Sequence, residues 1–123
     1  MKQDGEYEVE WYFETKADWE TKPGAYDGLY NKEATSEQIT STIEYFGNFL
    51  NKMDTRWADG RTHVAFRDVT AADFNLLAFY TSVVTNPGLY NPQVGESMRE
   101  KMHELKNVQR VVGNIKELME ESI

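Results

Sequence analysis

Apolar residues recur at alternating steps of four and three over Ile39, Ile43, Phe46, Leu50, Met53 and Trp57, the cleanest helical period in the chain. That spacing puts one apolar stripe along a 3.6-residue helix, which must pack on something buried. Thr35 with Gln38 offers a capping box at its start, and Asp59-Gly60 stops it. Further on, Asn91-Pro92 opens a helix with proline at the first helical position, where its missing N–H costs nothing, and Val94, Met98, Met102 and Leu105 share one face. A last helix, from Asn107, lines up Val108, Val111, Val112, Ile115, Leu118 and Met119. Near the start, from about Asp4 to Lys22, Tyr7, Val9, Trp11, Tyr12, Phe13 and Trp19 stand among acids. They alternate enough around Tyr7 to Phe13 to mimic a strand, but a helix with an aromatic face is predicted. Pro23-Gly24 breaks it, and Ala25 to Ala34 continues as a loop or as a kinked second half of the same helix.

Between these helices, Arg61 to Asp68 reads as a connecting loop, and Val-Thr-Ala-Ala-Asp-Phe at 69–74 writes a helix start. Thr70 is the expected N-cap, its hydroxyl accepting from the Asp73 N–H while the Asp73 carboxylate accepts from the Thr70 N–H. Val69 and Phe74 flank the box as a hydrophobic staple. The run that follows, Leu76, Leu77, Ala78, Phe79, Tyr80, Val83 and Val84, is apolar around most of its circumference and ends at Asn86-Pro87-Gly88. It predicts a central helix buried on nearly all sides. Every element is helical, so the expected architecture is one all-α bundle over residues 1–123, built around this capped helix.

The order of elements from Ile39 to Leu118, an amphipathic helix, a loop, the 69–74 box and a closing helix introduced by Asn107-Val108-Gln109-Arg110, resembles the C-terminal helical domain of cytosolic glutathione transferases. The thioredoxin-like domain that holds glutathione in that family has no counterpart among these residues. The resemblance therefore implies a helical domain without catalysis of its own, with no cofactor unless glutathione is held by a thioredoxin-like domain supplied elsewhere. It implies a protein-binding or assembly module, as a homodimer or with a protein partner. The alternative it implies is the electrophile-site and dimerisation half of a truncated or split transferase. An unrelated acidic helical bundle is the third reading.

Composition narrows the chemistry. A chain of 123 residues can bury most of its apolar surface without metals or disulfides, and with no cysteine it has no thiolate nucleophile or disulfide. Lys and Arg number 13 against 21 Asp and Glu, a net charge of -8, and the basic residues are scattered. Phosphate-backbone binding needs a concentrated positive surface, which argues against nucleic acid. No apolar run approaches a bilayer span and no signal peptide is legible, so a soluble, cytoplasmic domain is expected.

The candidate site residues lie on the first helix. Tyr7, Trp11 and Tyr12, with Phe13 and Trp19, either line a pocket for a hydrophobic small ligand or fill the core or a subunit interface. Glu10 and Glu14 share one helical face. The resemblance implies that Glu14 matches an acidic position contacting the glutathione ammonium across a dimer; a solvated acidic face is the competing reading. His63 and His103 have no second histidine or cysteine to complete a ligand set and read as surface residues, without a metal site. Tyr26 and Tyr30 read as donors toward a ligand or as loop anchors.

Overall fold

A computed structural model describes residues 4–22 and 25–121, and the expected Pro23-Gly24 break lies outside them. Six helices follow in order: α1 (Asp4–Glu20), α2 (Asp27–Tyr30), α3 (Ser36–Arg56), α4 (Ala71–Phe79), α5 (Pro92–Met102) and α6 (Lys106–Glu121). A π turn, Tyr80–Val84, extends α4. The described chain is all-helical apart from loops and two isolated bridges, His63 with Phe66 and Ala65 with Asp68. The region expected as loop or kinked helix between 25 and 34 holds the single turn α2.

The four–three stripe forms α3, and its start carries a complete reciprocal box. Gln38 N–H donates to Thr35 Oγ1 at 3.1 Å and Thr35 N–H donates to Gln38 Oε1 at 2.8 Å. Phe46, Phe49, Leu50 and Met53 are buried on α3, which packs against α1, α2, α5 and α6. Trp19 from α1, Phe46 and Phe49 from α3 and Phe79 from α4 meet in one aromatic cluster, with ring centroids 4.5 Å (Trp19–Phe46), 5.5 Å (Phe46–Phe79) and 5.6 Å (Phe49–Phe79) apart. Edge-to-face pairs of this kind contribute about 0.5–1.5 kcal/mol each beyond their buried area.

Helix ends and tight crossings are held by side chains from distant sequence. Asp54 Oδ1, on α3, accepts from the N–H groups of Asn107 (2.9 Å) and Val108 (3.2 Å), so α3 caps the start of α6. Asn91, the N-cap of α5, donates through Nδ2 to the carbonyls of Gly28 (2.7 Å) and Asn31 (2.9 Å). Gly28 sits where a Cβ would come within 2.8 Å of the Ile39 Cα, so α2 approaches α3 that closely only with glycine there.

At the start of α4 the structure departs from expectation in two ways. Thr70 and Asp73 occupy the two capping-box positions, but only one half of the reciprocal pair forms: Thr70 N–H donates to Asp73 Oδ2 at 2.9 Å. The Thr70 hydroxyl is buried without a hydrogen-bond partner, and the Asp73 N–H donates instead to the Thr70 carbonyl at 3.1 Å. Asp73 Oδ1 meanwhile accepts from the Val64 N–H at 3.0 Å, so one fully buried carboxylate serves both the helix start and the preceding loop.

Second, α4 is covered on one side only. Ala72, Asp73, Leu76 and Phe79 face inward, whereas Ala71, Phe74 and Ala78, at steps of three and four, are exposed. Val69 and Phe74 remain 44% and 47% exposed, so the residues read as a staple are largely in solvent. An apolar run all round a helix does not by itself say how many neighbours cover it; here α3, not α4, is the helix against which most of the others pack.

These bonds separate two substitutions. Thr70→Val removes a hydroxyl that bonds nothing and should change stability by less than about 0.5 kcal/mol, whereas Asp73→Ala strips acceptors from two N–H groups and should cost roughly 2–4 kcal/mol. Denaturant unfolding of both variants checks the contrast; equal losses would contradict it.

Candidate functional site

The residues singled out on α1 point to different sides of the helix. Tyr12 is fully buried, donates its hydroxyl proton to Asn75 Oδ1 at 2.9 Å, and has its pKa pushed well above the ordinary phenol range by burial. Trp11 is half-buried and lines an open groove of about 560 Å³ with Thr15, Asn51, Lys52, Thr55 and Arg56. The Arg56 guanidinium lies 4.5 Å from its ring centroid and covers one face of it. Tyr7 and Glu14 are exposed, as is Phe13, and Glu10 is half-buried. The structure therefore does not gather Tyr7, Trp11, Tyr12 and Glu14 around one cavity. Tyr26 donates its hydroxyl proton to the Glu20 carboxylate, and burial first, then that bond, raises its pKa; Tyr30 stacks on it, centroids 5.6 Å apart.

The densest group of charges is one that the sequence did not single out. Glu8, on the inner side of α1, accepts from Arg56 at both oxygens, Nε to Oε1 at 2.9 Å and Nη2 to Oε2 at 2.8 Å. Arg61 Nη1 reaches the same Oε1 at 2.6 Å and the Val64 carbonyl at 2.8 Å. Its Nη2 meets Asp59 Oδ2 at 2.8 Å, and the Arg61 N–H bonds Asp59 Oδ1 at 3.1 Å. With its side chain only 4% exposed, Arg61 is a buried cation held between two carboxylates.

The loop after α3 wraps around that cation. Phe66 places its ring centroid 4.5 Å from the guanidinium and adopts φ 65, in the left-handed region that side chains disfavour. Its carbonyl accepts from the N–H groups of Thr62 (3.1 Å) and His63 (2.9 Å), which closes the turn. From α6, Arg110 donates to the carbonyls of Arg61 (2.9 Å) and Trp57 (2.5 Å). His63, expected at the surface, is half-buried, with Nδ1 4.0 Å from Asp73 Oδ1 and no hydrogen bond of its own at that nitrogen. It lies inward because the loop is drawn beneath α4 by the Val64–Asp73 bond. His103 is exposed at the end of α5.

These charges all find protein partners, so the arrangement is one of support: it ties α1, α3 and the 57–70 loop together. One fragment was locally readable, the Asp59-Gly60-Arg61 turn. Its link to Glu8 spans 53 residues and has no local signature. Among the described residues no group of three or more His, Cys, Asp or Glu side chains is placed to hold a metal ion, and no helix is long and apolar enough to cross a membrane. The chain matches no family model, no curated protein and no solved structure.

The Arg56 bonds hold the Glu8 carboxyl below its ordinary value of 4.5, against the opposing effect of burial. A depressed carboxyl contributes stability that is present in full above its unfolded pKa and lost as pH falls through the lower folded value. Glu8→Gln leaves Arg61 buried with Asp59 alone and is expected to cost roughly 2–4 kcal/mol at neutral pH, toward the lower end because Arg56 is partly exposed. Urea unfolding across pH should show the gap between wild type and variant constant above 4.5 and narrowing below it. A gap independent of pH would contradict the assignment.

Proposed function

We propose that this chain is a glutathione-transferase-like C-terminal helical domain that acts as a protein-binding or assembly module and is not catalytic on its own. The exposed apolar face of α4 carries this reading. Ala71, Phe74 and Ala78 share that face, Val69 precedes it, and Leu77 beside it is half-buried. Exposed apolar area of this kind, gathered on one face of one helix, is what a second polypeptide covers.

The partner is a different protein rather than a second copy. Asp68, directly before Val69, is exposed at the edge of this face, and the whole chain carries a net charge of -8. Pairing two such acidic copies about a twofold axis through this patch is opposed by like charge, whereas a partner with an apolar centre and basic rim complements it. The electrophile-site reading has less support, because Tyr12 is in the core and Arg56 covers a face of Trp11.

A photo-crosslinking side chain at position 74 should give one discrete hetero-adduct in extract from the source cells, lost when unlabelled protein competes. The same side chain at Glu44, exposed on α3, is the control. Equal labelling from both positions, or a homodimer adduct alone, would count against the proposal. Calorimetry with glutathione should give no saturable heat at millimolar ligand; a micromolar dissociation constant would favour the transferase-half reading instead.

A further inference from the structure

Away from α1, a cleft of about 390 Å³ opens between the π turn, α5 and α6, a volume within the range of small-molecule sites, about 300–1,000 Å³. Its floor is Val84, Met102 and Val112, all buried side chains. Its rim carries Arg99, His103 and Lys116, and no carboxylate lines it, although acids outnumber Lys and Arg 21 to 13 in the chain. Arg56, Arg61 and Lys16 are spent in ion pairs; Arg99 and Lys116 are in none among the described residues.

Two backbone features keep this space open. The Thr85 N–H bonds the Tyr80 carbonyl at 3.1 Å, a step of five that widens the helix, and both Tyr80 and Val84 then line the cleft. Turns of this type occur often at functional sites. Arg99 Nη1 donates to the Val84 carbonyl at 2.7 Å, which anchors the guanidinium at the cleft wall and leaves its other N–H groups for a ligand. Lys116 Nζ stands 5.2 Å from the Tyr80 ring centroid. On the opposite wall Gly113 lies within α6, and a Cβ built there meets nothing within 4 Å. A glycine inside a helix weakens it, so packing gives no reason for one here.

We propose that this cleft binds a small amphipathic carboxylate, its charged head between Arg99 and Lys116 and its apolar tail over Val84, Met102 and Val112. Two cations without carboxylate partners select an anion, and the apolar floor selects a tail rather than a bare inorganic ion. Each methylene that enters the floor should tighten binding by about threefold to fourfold.

Calorimetry on the full chain with octanoate tests this, with acetate as head without tail and 1-octanol as tail without charge. Saturable one-to-one binding of octanoate is expected, at least tenfold tighter than either control. Gly113→Leu should fill the cleft and weaken octanoate at least tenfold while circular dichroism and the unfolding midpoint hold or rise. Lys116→Gln should weaken octanoate by about threefold to tenfold and leave 1-octanol unchanged; it decides the matter alone if Gly113→Leu fails to fold. No saturable octanoate binding at millimolar concentration, equal affinity for 1-octanol, or undiminished binding by a folded Gly113→Leu would overturn the proposal.

Discussion

A buried guanidinium must be surrounded by acceptors, and meeting that requirement for Arg61 organises a large part of this molecule. Glu8 comes from α1, Asp59 from the turn after α3, and the Val64 carbonyl from the loop itself. Because one cation draws on all three, the position of α1 on α3 and the path of the 57–70 loop are set together. Asp73 completes the arrangement from α4 by accepting the Val64 N–H, and Arg110 does so from α6 by donating to the Arg61 carbonyl. The loop thus has its polar backbone groups met by side chains from several helices, without regular secondary structure of its own.

The apolar part of the fold follows a different logic. Trp19, Phe46, Phe49 and Phe79 bring α1, α3 and α4 to one cluster, and α3 supplies the surface on which most of the other helices rest. Asp54 and Asn91 then register α6 and α5 against their neighbours through hydrogen bonds whose geometry is more exacting than apolar contact. Covering α4 on one side alone leaves Phe74 and its neighbours outward, and widening its end as a π turn opens the cleft beside α5 and α6. Both surfaces proposed for binding therefore arise from how α4 starts and ends.

Local patterns in the sequence predict the structure where the physics is local. The Thr35–Gln38 box needs only four residues, the proline at the start of α5 only two, and the stripes of α3, α5 and α6 only the helical period. At Thr70 and Asp73 the same local rule described half of what forms, since it could not anticipate that a loop amide nine residues back would claim one carboxylate oxygen. The run after Phe74 was apolar all round, which is compatible with a helix enclosed on every side or with one that keeps a face for something else. On α1 the aromatic residues were legible as a group, but assigning Tyr12 inward and Tyr7 outward depends on where α3 and α4 lie. The pairing of Glu8 with Arg61 joins positions 53 residues apart and so leaves no local signature in the sequence.

If the loop after α3 is held as firmly as its bonds to buried charges imply, its opening is part of global unfolding and not a local event. Native-state hydrogen exchange at the Val64 amide tests this most directly, because that N–H is bonded to the buried Asp73 carboxylate. The account predicts that Val64 exchanges as slowly as the amides of Phe49 and Leu50 within α3. Exchange as fast as that of exposed loop amides such as Arg67 would contradict it.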